Sequence, residues 1–233
     1  MANVIINDTH LANIADAIRN KNGTNNTYKP SEMGSAIENI ETGGGGSPEI
    51  EDGLLDRTLS GEYYNDRIIT LGYGAFYGNE NLKTLKLPSA TRVEQYAMQG
   101  CTALEIIETP EANYLGTYCC RNCTSLSSVD FSSVASTGNY ICYGCTNLES
   151  IELPVLTRIG ANFFTDCTSL SKVILRKSNS ITTLANINAF SNTPIENGTG
   201  YIYVADNLLS NYKSATNWSN YTSQIKPLSE LEG

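Results

Sequence analysis

Two pairs of cysteines have a spacing that could bind zinc. Cys120 and Cys123 form one Cys-x-x-Cys pair, Cys142 and Cys145 form another, and 18 residues separate them. A structural zinc site needs four ligands in a tetrahedral array. These cysteines, however, recur at a constant step of 22 residues alongside apolar side chains, which favours a buried packing role. We therefore expect no metal and no cofactor, and the odd total of seven cysteines argues against a disulfide framework.

Carboxylates at the same step form a second candidate site. Glu108, Asp130 and Glu152 each take the outward position of a strand-like segment. We expect them to stack on adjacent strands of one exposed face, where they either contact a cation or a basic partner or simply remain solvated. Three side chains make a poor calcium cage, since calcium takes about six to eight oxygens. An open face also lacks the cleft that would raise the pKa of one carboxyl in a glycosidase pair.

Tyrosines form a third column, at Tyr96, Tyr118 and Tyr140, with Gly74 and Asn162 at its two ends. Tyrosine presents both an apolar ring and a hydroxyl, so a ladder of rings could bind a sugar chain or a protein partner. The alternative is that the rings only stack on one another along the turn side of the repeats.

Catalytic constellations are absent from the sequence. The one histidine is His10, far from the repeats, so no histidine can activate a serine or cysteine there. Glycines 43–46 lack the lysine of a phosphate-binding loop. The net charge of −9 disfavours binding to nucleic acid and to anionic lipid. No apolar run approaches the ~18 residues of a membrane span, so we expect a non-enzymatic protein that does not insert into membranes.

The 22-residue period indicates the elements that position these side chains. Each period carries a Leu-x-x-Leu-x-Leu segment, whose alternation predicts a short strand. No single coil can bury its apolar side alone, so successive coils must stack, with a parallel sheet on one face and tight helical turns near Ala75 and Phe76 on the other. The inward columns of the coils are Leu82, Leu104, Leu126, Leu148 and Leu170; Asn79, Cys101, Cys123, Cys145 and Cys167; Phe76, Met98, Cys120, Cys142 and Phe164; and Leu71, Val93, Leu115, Thr137, Ile159 and Ile181.

The unit Ile-Gly-x-x-x-Phe-x-x-Cys-Thr-Ser-Leu-x-x-Val-x-Leu at residues 159–175 resembles the BspA-like leucine-rich repeat. The resemblance recurs over roughly residues 55–228 and implies an α/β leucine-rich-repeat solenoid. We expect an N-terminal cap at 50–70, regular coils at 71–176, a C-terminal cap at 177–228 and a tail at 229–233.

The N-terminal residues have a different pattern. Apolar spacing predicts a small helical hairpin over residues 1–41, followed by a glycine-rich linker at 42–49. The segment Leu-Ala-Asn-Ile-Ala-Asp-Ala-Ile-Arg-Asn-Lys-Asn-Gly-Thr of this hairpin resembles the start of tail-associated proteins of phages and prophages of Gram-positive bacteria. That resemblance implies a docking or oligomerisation role for residues 1–41.

These observations favour a binding or scaffold protein. The first hypothesis is a phage or prophage tail protein that is made in the cytoplasm, joins the virion through residues 1–41 and contacts a host surface protein or glycan through its solenoid. A homo-oligomer is compatible with this hypothesis. The absence of a recognisable secretion signal fits that route. The alternatives are a BspA-like adhesin on a bacterial cell surface and a purely structural tail component. The sequence does not indicate which face of the solenoid binds or what it binds.

Overall fold

The computed structural model describes residues 59–232. The expected hairpin (1–41), the linker (42–49) and residues 50–58 of the expected N-terminal cap (50–70) lie outside the described residues.

The described coils stack through parallel strands, as the repeat predicts. The first strand of each coil aligns with its neighbours so that like positions face one another; for example, Leu85 lies opposite Ile107, and Ile107 opposite Val129. These strands form two four-stranded sheets, in the orders β1-β3-β5-β7 and β14-β13-β11-β9. The strands are β1 (Gly61–Tyr64), β3 (Leu82–Lys86), β5 (Ile106–Glu108), β7 (Ser128–Asp130), β9 (Ser150–Glu152), β11 (Lys172–Leu175), β13 (Tyr201–Val204) and β14 (Ile225–Pro227).

A second, shorter strand in each coil forms another parallel ladder that the sequence does not predict. These strands are β2 (Thr70–Leu71), β4 (Arg92–Val93), β6 (Tyr114–Leu115), β8 (Ser136–Thr137), β10 (Arg158–Ile159) and β12 (Thr183–Leu184). The expected place of Ile181 in this column is wrong, because Ile159 lies opposite Leu184. Three extra residues in the last coil shift the register there.

The third side of each coil is a turn rather than the expected helical turn. Between residues 71 and 176 no residue is helical. The turns are instead tied to their neighbours by backbone hydrogen bonds, such as Cys120 N to Ile141 O at 3.1 Å and Cys142 N to Phe163 O at 2.9 Å. The chain reverses there through residues in the left-handed conformation, which a helix does not accommodate.

The core lies between these three sides, and the inward columns are confirmed except at Ile181 and at Thr137, which is only half-buried. The leucines and cysteines of the columns are fully buried. Each column cysteine also donates its thiol hydrogen to a backbone carbonyl of the preceding coil: Cys101 to Phe76, Cys123 to Met98, Cys145 to Cys120 and Cys167 to Cys142, at 2.9–3.2 Å. A thiol suits this position because it fills apolar space and still provides a weak donor.

The C-terminal cap contains the helices of the described residues. They are α1 (Leu209–Ser214), α2 (Ser229–Glu232) and 3-10 turns at Ile187–Phe190, Asp206–Leu208 and Trp218–Tyr221. Trp218 is buried and its Nε1 donates to the Thr182 carbonyl at 2.7 Å. The helix α2 is tied to the second of these 3-10 turns, since the backbone N of Ser229 donates to the Asp206 carboxylate at 3.2 Å.

Candidate binding surfaces

The sheet face brings together two of the three expected carboxylates. Glu108 and Asp130 lie directly opposite each other on β5 and β7. They do not form a purely acidic stack, however. Lys86, opposite Glu108 on β3, lies 4.0 Å from Glu108 and 3.3 Å from Glu62, so one ammonium group serves two carboxylates.

Glu152 is separated from the other two carboxylates by a break in the sheet. Its strand, β9, belongs to the second sheet, and its register partner is Ile174 on β11. Its carboxylate accepts a hydrogen bond from Arg176 Nε at 2.6 Å. The expectation that three carboxylates stack on paired strands is therefore wrong, and cations offset charge on both sides of the break.

The tyrosine column forms a stacked ladder along the turn side. The ring centroids of Tyr96 and Tyr118 are 5.2 Å apart with an interplanar angle of 18°, and those of Tyr118 and Tyr140 are 4.8 Å apart at 25°. Tyr73 packs edge-on against Tyr96 at 5.2 Å, and Tyr143 lies 6.0 Å from Tyr140. Both faces of the inner rings are therefore covered, so the ladder presents ring edges and half-buried side chains to a partner.

All residues of this column share a left-handed backbone. The φ angles are 59° at Tyr96, 62° at Tyr118 and 57° at Tyr140, and the column ends in the same conformation at Gly74 and Asn162. Glycine and asparagine are the residues that tolerate this conformation best. Their presence at the two ends of the column is the sequence signal for a left-handed position.

Arg121 is a candidate functional residue that the sequence analysis missed. Its guanidinium carbon lies 5.4 Å from the Tyr118 ring centroid and 5.2 Å from that of Tyr143. Its Nε is buried without a hydrogen-bond partner, and within residues 59–232 the side chain forms no ion pair. Gln99, one coil earlier in the same column, likewise has a buried Oε1 without a partner. The two side chains thus offer an unsatisfied donor and an unsatisfied acceptor beside the ladder.

A polar network continues the turn side toward the C-terminal cap. The Tyr143 hydroxyl donates to the Asp166 carboxylate, and this bond raises the pKa of Tyr143 and lowers that of Asp166. Asn192 Nδ2 donates to the same carboxylate at 3.0 Å.

We define the turn edge as Tyr96, Tyr118, Tyr140, Arg121 and Tyr143.

The cysteines have the properties of core side chains. All seven are described, buried and free. Burial raises the pKa of Cys101 to about 12, and burial and neighbouring thiols raise the pKa of Cys123 well above its ordinary value. A zinc ligand must be a thiolate, and within residues 59–232 no three metal-ligating side chains cluster around a common point. The Cys-x-x-Cys spacing coincides with the 22-residue repeat, in which these cysteines occupy buried positions.

The helices at residues 59–232 are all too short or too polar to cross a bilayer.

Comparisons with known proteins agree with this architecture. The model of the BspA-type leucine-rich repeat region matches in six copies, over residues 62–169 and 91–216. No curated protein matches the sequence. A leucine-rich repeat protein from Bacteroides ovatus superposes with a TM-score of 0.57 at 22% identity, covering 73% of this chain and 42% of that one.

A second structure with the same fold is a leucine-rich cell surface protein from Faecalibacterium prausnitzii. It superposes with a TM-score of 0.52 at 17% identity, covering 63% of this chain and 48% of that one. The chain thus spans less than half the length of either protein. Because the repeat model matches most of the sequence, from residue 62 to residue 216, the chain belongs to the BspA-type leucine-rich repeat family.

Proposed function

We propose that this chain is a non-enzymatic binding scaffold whose turn edge contacts a macromolecule on a bacterial cell surface, either a protein or a glycan. The observation that carries the proposal is the side chain of Arg121, held between two tyrosine rings with a buried Nε that has no partner. An unsatisfied buried donor costs about 1–3 kcal/mol. Because this Nε is not accessible at the surface, a partner would recover that cost only if the Arg121 side chain turns outward on binding and donates to it.

The tyrosine ladder supports the same proposal, because it is rigid before any partner arrives. A non-glycine residue in the left-handed conformation costs about 1–2 kcal/mol. Stacking contributes about 0.5–1.5 kcal/mol per aromatic pair and so offsets much of that strain. Rings that are already ordered lose little entropy on binding, and tyrosine and arginine are the side chains that most often dominate interface energetics.

The sheet face is the weaker candidate. Glu108, Asp130 and Glu152 would meet a basic partner, but Lys86 and Arg176 already neutralise part of their charge. Exposed ion pairs contribute only about 0–1 kcal/mol each. We keep these three carboxylates as a second contact surface, to be tested in parallel with Tyr96, Tyr118 and Tyr140.

Two settings remain for this binding role. In the first, residues 1–41 attach the chain to other tail proteins of a phage or prophage, with or without homo-oligomers, and the solenoid contacts the host; the support is the sequence resemblance of that segment. In the second, the chain is a BspA-like adhesin at a cell surface. The family membership and the name of the Faecalibacterium protein support the second setting. A purely structural tail component would have the same fold without a receptor.

An antibody raised against the full chain distinguishes these settings. Labelling of purified tail particles in electron micrographs, with unlabelled intact cells, supports the virion setting. Labelling of intact producing cells supports the adhesin setting. If the chain is found on the particles, but particles that lack it through gene deletion attach to host cells equally well, the role is structural and the binding proposal fails.

A cell-binding assay with matched variants tests the surface itself. The triple variant Tyr96→Asn, Tyr118→Asn, Tyr140→Asn removes the ladder but keeps a residue that tolerates the left-handed backbone, as Asn162 does. The fluorescently labelled full chain should bind intact Gram-positive cells, and this variant should bind at least about tenfold more weakly.

The matched control removes rings from elsewhere on the molecule. Tyr64→Asn with Tyr201→Asn removes two exposed tyrosines from the sheet face and should bind like the unmodified chain. Loss of binding in this control, or in Asp130→Lys, with the triple variant unaffected would locate the contact on the sheet face and refute the turn-edge proposal.

A further inference from the structure

The C-terminal cap contains a cleft between two of its 3-10 turns. It has a volume of about 340 Å³ and is lined by Ile187, Asn188, Glu196, Asn220, Tyr221, Ser223 and Gln224. This volume is at the lower end of the range for small-molecule sites, roughly 300–1,000 Å³. The lining residues come from two 3-10 turns and the loops that follow them, so the cleft depends on the cap and not on the 22-residue period.

The polar lining is rich in neutral hydrogen-bonding groups. Among the described contacts, the side chains of Asn188, Ser223 and Gln224 make no hydrogen bond within the protein. Asn220 uses only Nδ2, which donates to the Asn217 carbonyl at 3.0 Å. The cleft therefore offers amide and hydroxyl groups that can each donate and accept to a ligand.

One carboxylate is held in place at the cleft. Glu196 accepts a hydrogen bond from the backbone N of Asn192 at 2.7 Å through Oε2, and one from the Ser191 hydroxyl at 3.3 Å through Oε1. Its orientation is thus fixed by the loop, and each oxygen retains a lone pair. No lysine or arginine is among the lining residues, so the cleft repels an anionic ligand.

The remaining lining is apolar. The Ile187 side chain is 48% exposed. The Tyr221 ring is buried, packs edge-on against Phe190 at 5.3 Å, and donates its hydroxyl to the Ile187 carbonyl. Burial and the charge of Glu196 raise the pKa of Tyr221 to about 12, so this hydroxyl stays a donor and the wall stays neutral.

From this juxtaposition we propose that the cleft binds one unit of a neutral saccharide. A sugar ring carries several hydroxyls on its edge and apolar C–H groups on its faces. The amides that make no internal hydrogen bond and the oriented carboxylate can pair with the hydroxyls. The aliphatic side chain of Ile187 can pack against the C–H groups. A small cation would satisfy Glu196 but would leave the amide and hydroxyl groups without use. An anionic ligand would be repelled by Glu196, and no cation in the lining would compensate.

This site is separate from the turn edge and does not depend on the proposed function. A free sugar can enter the cleft whether or not the solenoid contacts a cell. Conversely, the turn edge can bind a protein if the cleft binds nothing.

The test is saturation-transfer difference NMR on the full chain with a panel of neutral mono- and disaccharides. The panel contains glucose, galactose, mannose, rhamnose, N-acetylglucosamine and maltose. At least one should give transfer signals that titrate with a dissociation constant on the order of 1 mM. N-Acetylneuraminic acid and ethanolamine, a small cation without a sugar ring, serve as the anionic and cationic comparisons and should bind more weakly than the best neutral sugar.

Variants then assign the signal to the cleft. Asn188→Ala with Gln224→Ala removes two amides that make no internal hydrogen bond and should weaken binding about tenfold. Ser223→Trp should abolish binding by filling the space. The control Asn147→Ala removes an exposed amide on another coil and should leave binding unchanged.

Circular dichroism of the variants guards against misfolding. The proposal is overturned if no neutral sugar gives transfer signals up to about 10 mM. It is equally overturned if the signals persist in folded Ser223→Trp or if Asn147→Ala weakens them as much as the double variant.

Discussion

The sheet face and the turn edge use the same 22-residue period in different ways. On the sheet face, each coil can place any residue outward, and the pairing of strands stops between β7 and β9. On the turn edge, backbone hydrogen bonds cross the same boundary without interruption, from Tyr140 N to Ala161 O at 2.9 Å and from Gly144 N to Thr165 O at 2.9 Å.

This difference indicates where the chain is constrained. The turn must reverse direction through a left-handed residue in every coil, so few side chains fit without strain. A strand position accepts most side chains, and its charges vary accordingly from Lys86 to Glu108 to Asp130. A tyrosine at a left-handed turn position is therefore a stronger indication of function than a carboxylate at an outward strand position.

Truncation of the shared core should have the largest effect. Phe164 lies beneath the turn side, stacked on Phe190 at 5.6 Å, and Leu175 lies beneath the sheet face. Phe164→Ala should lower the free energy of unfolding by about 3–5 kcal/mol and Leu175→Ala by about 2–5 kcal/mol. Urea denaturation, followed by circular dichroism, measures both. If one of these two truncations costs under about 1 kcal/mol, the two regions do not rest on one close-packed core.

Substitutions at Tyr118 test the left-handed backbone of the turn edge. Tyr118→Ala loses two stacking partners and keeps the strain, whereas Tyr118→Gly loses the same contacts and relieves it. We expect the glycine variant to be more stable than the alanine variant by about 1 kcal/mol. Ser150 lies on a strand of the sheet face, and glycine weakens a strand. Ser150→Gly should therefore be less stable than Ser150→Ala, by about 0.5–1 kcal/mol. Thermal melts of the four variants check the contrast, and equal stability of the Tyr118 pair would contradict it.

Acid titration distinguishes the turn-edge network from the sheet face. Asp166 accepts hydrogen bonds from Tyr143 and Asn192, which lower its pKa from the ordinary value of 3.8. Its contribution is therefore present above the unfolded pKa and is lost as pH falls through the folded pKa, below 3.8. Asp166→Asn should be less stable than the unmodified chain near neutral pH, by under about 1 kcal/mol at this partly exposed site.

That deficit should shrink toward zero below the folded pKa of Asp166. Glu152→Gln, on the sheet face, serves as the comparison. Chemical denaturation across the acidic range measures both variants, and a deficit for Asp166→Asn that does not change with pH would contradict the role of this carboxylate.

Charge reversal at the break in the sheet should have the smallest effect. Asp130 lies opposite Glu108, and like charges on opposed strand positions are destabilising by roughly 0.2–1 kcal/mol. Asp130→Lys converts this pair into an attractive one. It should be more stable by a few tenths of a kcal/mol than Asp130→Ala, which loses the same hydrogen bond from the Ser132 backbone N to the Asp130 carboxylate. Repeating the melt at high salt should remove the gain. A gain that survives high salt would mean that charge is not its cause.

The repeat made most of the core predictable and left the surfaces partly hidden. Columns such as Cys101, Cys123, Cys145 and Cys167 are readable because burial repeats with the period. The two-residue strands are too short to show an alternation. The displacement of Ile181 by Leu184 follows from extra residues in one coil, which a strict period cannot anticipate.

For the candidate sites, the sequence predicts which residues share a column but does not predict their side-chain contacts. The sequence placed Tyr96, Tyr118 and Tyr140 in one column, but it did not identify Arg121, because a cation between two rings depends on side-chain direction and not on spacing. The ion pairs of Lys86 and Arg176 depend in the same way on reach across strands. The cleft in the C-terminal cap lies outside the repeat and had no periodic signal.

Reactivity of the cysteines in the native protein tests the stacking of coils in register most directly. The seven thiols are buried and should therefore be inaccessible to a reagent, and burial also raises the pKa of Cys101 to about 12, which keeps that thiol protonated. Incubation of the native chain with iodoacetamide at neutral pH, followed by mass spectrometry, should find almost no modification, and all seven cysteines should react after denaturation. Rapid modification of Cys123 or Cys145 in the native protein would contradict the inward columns and, with them, the surfaces that those columns align.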